Sequence, residues 1–268
     1  LPFLNGKWHE MKNKNGSFYN EQKLCMASEF GESGNSLYVK VCRGCYYNSY
    51  LTNVIYTKKL SHQSGWGMMP PANISNYPIH RLEKSIMSDH IGISTLAVTT
   101  DGYVIILHQN NKALTSADRL TPSGSGSVDF RDFRAGTDFR ETLKAAAERE
   151  LCEETALPPC RIGHTEVIGF YRDLGRGGKP EFCCLTRLNA PLFEISELEP
   201  NYEEQRDDFE TFHILGKSGQ LDGKDFKRFS DMVLNRSPRS EEDRPALALY
   251  MCYIMLCHYL GKKITGHS

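Results

Sequence analysis

Glu150, Glu153 and Glu154 crowd the end of the segment running from Glu141 to Leu157. At about 100° per residue in a helix, the three carboxylates fall within roughly 100° of arc. Leu143, Ala146 and Ala147 occupy the same sector one and two turns earlier, and Leu151 lies beside it. The acids therefore stand on or beside the stripe that must face the core. An ordinary solvated face interleaves Lys and Arg to relieve repulsion, yet only Arg149 is near. Such a corner calls for a cation, and hard oxygen donors suit Mg²⁺ or Mn²⁺. Glu141 points about 180° away from Glu150. It reads as a helix-start or salt-bridge residue.

The surrounding elements must hold that corner in place. Residues 91–98 and 103–108 read as two strands joined by a turn at Thr100, Asp101 and Gly102, together a hairpin. A glycine-serine segment at 122–127 follows, and then 128–130 before the helix over 139–155. Asp138 and Glu141 are spaced as a capping box, and Pro158 and Pro159 end the helix. Two further strands are predicted at 166–171 and 182–187, with a glycine-rich loop at 175–179 between them, and another strand at 211–215. A final helix opens near 240–243, with Pro245 in its first turn, and runs through 246–260.

Upstream, residues 36–42 read as a strand, 50–56 as a strand or short helix, and 64–73 as a loop. The expected organisation is thus a β-leaning region at 1–89, a central domain at 90–216, and a helical extension at 217–268 that packs back on it.

Composition narrows the function classes. The chain has 268 residues, 40% hydrophobic and 24% charged, an ordinary globular balance with ample apolar mass for a core. A net charge of −1 argues against a nucleic-acid polymer held by bulk electrostatics, while leaving small anionic ligands open. The longest apolar run, 246–260, is interrupted by His258 and falls short of a membrane span. The first residues lack the pattern of a secretory leader. Nine cysteines without a regular framework suggest reduced thiols, and hence an intracellular, cytoplasmic setting.

Cys42 and Cys45 have zinc-ligand spacing, but no second pair follows, and Cys183 and Cys184 read as core. Tyr171 and Phe182 suit either packing or stacking on a base. Arg176 and Lys179 suit either a solvated loop or a phosphate.

The run from Arg149 to Glu154, with Glu141 ahead of it and Leu157 behind, resembles the signature of Nudix hydrolases. That signature carries two glycines, and this chain has Ala135 and Ala156 in their places. The resemblance implies a Nudix α/β/α sandwich with a mixed sheet, beside a smaller N-terminal region and a C-terminal helix. It implies hydrolysis of a nucleoside diphosphate linked to another group, with Mg²⁺ or Mn²⁺ as cofactor and a small nucleotide as partner. Glu150 and Glu154 would be the principal metal ligands and Glu153 an assisting one, with Arg149 orienting Glu150. The segment 123–127 would offer a backbone carbonyl in place of the missing first glycine's neighbourhood. A later acid, Glu181, Glu203 or Glu204, would complete the site. Lys179, Glu181 and Gly126 are the expected substrate-binding positions.

The layout is also similar to the UDP-glucose pyrophosphatase type, which splits a UDP-sugar into UMP and sugar 1-phosphate. The competing expectations are an ADP-ribose or dinucleotide hydrolase, and a Nudix-fold module that binds a nucleotide without cleaving it.

Overall fold

The computed structural model describes residues 20–34, 36–54, 56, 78–109, 119–196, 206–216, 219–221, 223–234 and 244–261. The loop expected over 64–73, the helix opening expected at 240–243 and the acids Glu203 and Glu204 lie outside them.

Eleven strands occur among the described residues. They are β1 (Gln22–Met26), β2 (Gly31–Ser33), β3 (Ser36–Tyr38), β4 (Val41–Cys45), β5 (Gly92–Val98), β6 (Tyr103–Gln109), β7 (Arg119–Thr121), β8 (Gly124–Ser127), β9 (Ile162–Asp173), β10 (Lys179–Leu188) and β11 (Arg206–His213). The helices are α1 (Tyr46–Ser49), α2 (Phe139–Thr155), α3 (Leu192–Ile195), α4 (Phe226–Val233) and α5 (Leu247–Tyr259). No helix among the described residues is long and apolar enough to cross a membrane.

The chain divides into two compact units, and both draw on more than one stretch of sequence. Unit 1 takes the described residues up to Gly92 together with Ser127–Phe133 and Arg172–Glu181. Unit 2 takes Ile93–Gly126, Arg134–Tyr171 and the chain from Phe182 onward.

In unit 1, β1 pairs antiparallel with β4. Its other side is stitched by Leu24 N–H to Val128 O, Ile91 N–H to Leu24 O and Val128 N–H to Ile91 O, each 2.9 Å. These three apolar residues are at most 1% exposed. Full burial of such side chains contributes about 1.5–3 kcal/mol each. The strand expected over 36–42 is split between β3 and β4, and of the ambiguous stretch at 50–56 the part Tyr50–Val54 is helical, a π-helix that continues α1.

Unit 2 is built on a mixed sheet with the order β11-β6-β5-β10-β9, and β7 and β8 add to β6 and β5. The β5–β6 hairpin forms as the alternation predicts, and Gly102 turns it at φ +87°. Its alternating side chains feed two cores. Leu96, Val98, Val104 and Ile106 join Phe229 of α4 and Tyr253 and Leu256 of α5. Ala97, Ile105 and Leu107 join Leu151 of α2 with Leu157 and Leu188. Because neighbours along a strand point to opposite faces, the sheet is covered by helices on both sides, an α/β/α arrangement.

Within the glycine-serine segment, Gly124–Ser127 is a strand. One local expectation needs correction. Asp138 does cap α2, but it accepts from Arg140 N–H, while Glu141 pairs with Lys144 at 2.8 Å instead of closing a capping box. An i,i+3 ion pair on the helix surface competes for the side chain that a box requires.

Both departures from the glycine pattern have a structural outcome. Near Ala135 the left-handed residue is Gly136, at φ +78°. At the other end Ala156 itself adopts φ 57°, ψ 18° to terminate α2. A Cβ in this region costs about 1–2 kcal/mol, which glycine avoids. Ala156→Gly is therefore expected to raise stability by about 0.5–1 kcal/mol, after allowance for the freer unfolded chain. A thermal unfolding midpoint that falls would contradict this.

Candidate carboxylate site on helix α2

Helix α2 buries Leu143, Ala146, Ala147 and Leu151, and this fixes the face on which the glutamates stand. Glu154 is 6% exposed and accepts a hydrogen bond from Ser125 N–H at 2.9 Å. Arg149 lies between the other two acids, donating to Glu150 at 3.0 Å and to Glu153 at 2.9 Å. The Arg149 and Glu150 side chains are largely sheltered, whereas Glu153 is half-buried. These charge-assisted bonds orient carboxylates that would otherwise repel one another.

Strand β8 supplies the opposite wall. A Cβ on Gly126 would fall on the Glu150 carboxyl group, so the missing side chain leaves room for that acid. Gly124 is buried against the backbone of Leu151, with an added Cβ only 2.7 Å from both its N and Cα. The glycines of β8 let a strand approach a helix more closely than any other residue permits. Nothing in the sequence pattern marks the Ser125 amide. Only the pairing of β8 beside the helix places it.

The three glutamates share one helical corner, but among the described residues no three acidic, His or Cys side chains converge as a metal-holding group. Arg149 holds Glu150 and Glu153, and Glu154 turns toward β8. The donor chemistry still fits a divalent cation: carboxylate oxygens are hard ligands, and the space at Gly126 is open to the Glu150 carboxylate. Gly126→Ala is expected to turn that carboxylate aside. Since the clashing atoms are the end of a flexible side chain, unfolding stability should change by less than about 1 kcal/mol. Mn²⁺ affinity, read by calorimetry, should fall by at least tenfold. Unchanged affinity would show that Glu150 does not need this space.

Lys179 and Glu181 belong to unit 1. Lys179 is not in the loop where its glycine-rich neighbourhood put it: it opens β10, is 1% exposed and pairs with Glu181. Burial lowers the Lys179 ammonium pKa from its ordinary value, and Glu181 partly offsets this. Arg176 lies 3.7 Å from Asp173 and 4.0 Å from Glu181.

The aromatic candidates are packing residues. Phe182 is buried between Phe139 and Phe170, and Tyr171 packs against the core shared with α5. Cys183 and Cys184 are buried, and all nine cysteines are free thiols.

No protein-family model matches the sequence, and no curated protein matches it. Among solved structures, the chain is similar to a NUDIX hydrolase from Alicyclobacillus acidocaldarius, with 9% identity, coverage of 66% of this chain and 93% of that one, and a TM-score of 0.42. It is also similar to the MutT protein from Methanosarcina mazei Go1, at 16% identity, 45% and 74% coverage, and a TM-score of 0.31. A third is a bifunctional NMN adenylyltransferase/ADP ribose pyrophosphatase from Francisella tularensis, solved with AMP and a Mn ion. It shows 16% identity, 55% and 41% coverage, and a TM-score of 0.29. At such identities and scores the likeness says nothing of substrate. In the residues of its α2 box, and in the helix-covered mixed sheet that carries them, the chain resembles the Nudix hydrolases.

Proposed function

We propose that the protein is a metal-dependent pyrophosphohydrolase acting on a nucleoside diphosphate linked to another group, with a nucleotide sugar such as a UDP-sugar as the favoured substrate. The observation that supports this is the ordered acid corner of α2, where Arg149 and the Ser125 amide each fix carboxylates beside glycines that leave them room. Glu154 is buried and Glu150 largely sheltered, and a bound cation would offset the cost of holding their charges together. The preference for a nucleotide sugar rests on the likeness in layout to the UDP-glucose pyrophosphatase type.

Glu150, Glu153 and Glu154 would hold the divalent ions, which when bound neutralise pyrophosphate charge and acidify a water. Arg149 orients Glu150 and Glu153 and limits their mutual repulsion. Strand β8 anchors Glu154 through Ser125 and keeps side-chain bulk away from Glu150. The closed packing of α2 on the sheet keeps these groups from relaxing during the reaction, the condition under which electrostatic stabilisation is most effective.

The test is release of nucleoside monophosphate from UDP-glucose, UDP-galactose, GDP-mannose, ADP-ribose, NADH and diadenosine polyphosphates, with Mg²⁺ or Mn²⁺ and with chelator. Metal-dependent release from the UDP-sugars is the expected result. Preference for ADP-ribose or a dinucleotide would replace the substrate but keep the chemistry. Nucleotide binding without turnover would replace the hydrolase with a binding module.

A further inference from the structure

Unit 1 holds two thiols that the α2 chemistry does not use. The register of β1 against β4 sets Cys25 directly opposite Cys42. Just beyond the strand ends, Ala27 N–H donates to Lys40 O at 2.8 Å and Tyr46 N–H to Glu21 O at 3.0 Å. Hydrogen-bonded pairs recur at every second residue of an antiparallel ladder, so Cys25 and Cys42 are one of them, with Cα atoms about 5.5 Å apart. A disulfide spans that separation, and residues directly opposite project their side chains to the same face. The spacing of Cys42 and Cys45 is misleading by comparison. Both lie in the extended strand β4, where three residues cover about 10 Å and side chains three apart point to opposite faces. That is too far to bridge.

The two thiols differ in reach. Cys42 is exposed, whereas Cys25 is buried. Gly44 is the next residue of β4 on their shared face, and a Cβ there would lie 2.4 Å from Cys25 Sγ. The missing side chain leaves the Cys25 thiol room beside β4. Ser88 Oγ lies 3.7 Å from the same sulfur, and a clamp holds Ser88 in place. Its N–H donates to Thr52 Oγ1 at 3.0 Å, and Asn53 Oδ1 accepts at 2.9 Å from the N–H of Asp89, which is left-handed at φ 49°. From its place over Gly44, one rotation about χ1 carries the Cys25 sulfur toward Cys42. Burial pushes the Cys25 thiol pKa up to about 11, so it stays protonated and unreactive until Cys42 has reacted.

We propose that Cys42 and Cys25 form a redox modification site that exchanges with small disulfides such as oxidised glutathione. The Cys42 thiolate attacks one sulfur of the reagent, which forms a mixed disulfide and releases one glutathione thiolate. Cys25 then gives its proton to solvent and attacks Cys42 Sγ, which breaks the mixed disulfide and releases the second glutathione thiolate. Two protein thiols lose two electrons, and one glutathione disulfide is reduced to two thiols. The new bond ties β4 to β1, the strand whose Leu24 is already bonded to Ile91 and Val128. This site does not depend on the hydrolase reading of α2.

The test is to incubate the reduced full chain with oxidised glutathione, alkylate the remaining thiols, digest with trypsin and weigh the peptides without reduction. Cleavage after Lys23, Lys40, Arg43 and Lys58 puts Cys25, Cys42 and Cys45 on the separate peptides 24–40, 41–43 and 44–58. Peptide 24–40 joined to 41–43 is the expected product, and adding dithiothreitol should separate them. Peptide 41–43 joined to 44–58 would overturn the proposal. So would Cys42 left alkylated, or left carrying glutathione, because an ordinary exposed thiol stops there. Two variants check the order of the steps. Cys25→Ala should leave Cys42 as the glutathione mixed disulfide, and Cys42→Ala should leave Cys25 without glutathione. Glutathione on Cys25 in Cys42→Ala would mean that the buried thiol reacts by itself, against the proposed order. The decisive product is read on the unaltered protein, so a variant that fails to fold does not decide the outcome.

Discussion

Glu154→Gln is expected to reduce metal-dependent turnover by about two to three orders of magnitude while leaving the fold in place, the range seen when a fixed electrostatic contact to a reacting centre is removed. The geometry separates the two effects. Glu154 is nearly buried, and one of its oxygens accepts from the Ser125 amide at 2.9 Å. The Gln carbonyl can accept the same bond, so β8 stays anchored to α2, at a cost of about 1 kcal/mol for the weaker neutral hydrogen bond. What disappears is the negative charge, and with it a hard anionic ligand for Mg²⁺ or Mn²⁺. The informative measurements are turnover and Mn²⁺ affinity alongside the urea midpoint. Lost turnover with weakened Mn²⁺ binding and a small change in midpoint is expected. Full activity in Glu154→Gln would remove Glu154 from the site, and with it the reading of α2 as a metal helix.

The elements carrying this chemistry differ in how openly the sequence announces them. The β5–β6 hairpin was legible because apolar residues flank a turn that Gly102 alone can make at φ +87°. The span of α2 was legible because its apolar stripe runs from Leu143 to Leu151 and two prolines follow. Strand β8 was not, since Gly and Ser have little intrinsic strand preference. Its composition follows from close approach to α2, a tertiary demand that local pattern cannot express. Lys179 was misread for a related reason. A lysine after two glycines reads as an exposed loop, and only the pairing with Glu181 lets it be buried at the start of β10. The corner itself follows from helical spacing. The division of labour within it, with Arg149 taking two acids and Ser125 the third, depends on where β8 lies. In unit 1, nothing in sequence spacing marks Asp89 as left-handed, because the clamp comes from Asn53, 36 positions earlier.

That close approach also sets the largest stability effect. Gly124→Ala adds a Cβ 2.7 Å from both N and Cα of Leu151 and 3.2 Å from the carbonyl carbon of Glu150. All three are backbone atoms inside α2, so no side-chain rotation relieves the contact, and the helix must move away from the sheet as a body. Leu151 is fully buried in the core that holds Ala97, Ile105 and Leu107, so relieving the clash by shifting α2 opens space in that core. Overpacking of this kind costs about 1–3 kcal/mol or more, and a backbone clash belongs at the upper end. Gly136→Ala is the control. Gly136 has nothing within 4 Å of an added Cβ, so only its positive φ is penalised, at about 1–2 kcal/mol. Urea denaturation should therefore rank Gly124→Ala as the more damaging substitution. Because Glu150 and Glu154 move with α2, metal affinity should fall in Gly124→Ala and persist in Gly136→Ala. Equal stability losses in the two variants, or intact Mn²⁺ binding in Gly124→Ala, would mean that β8 does not set the position of the acid corner.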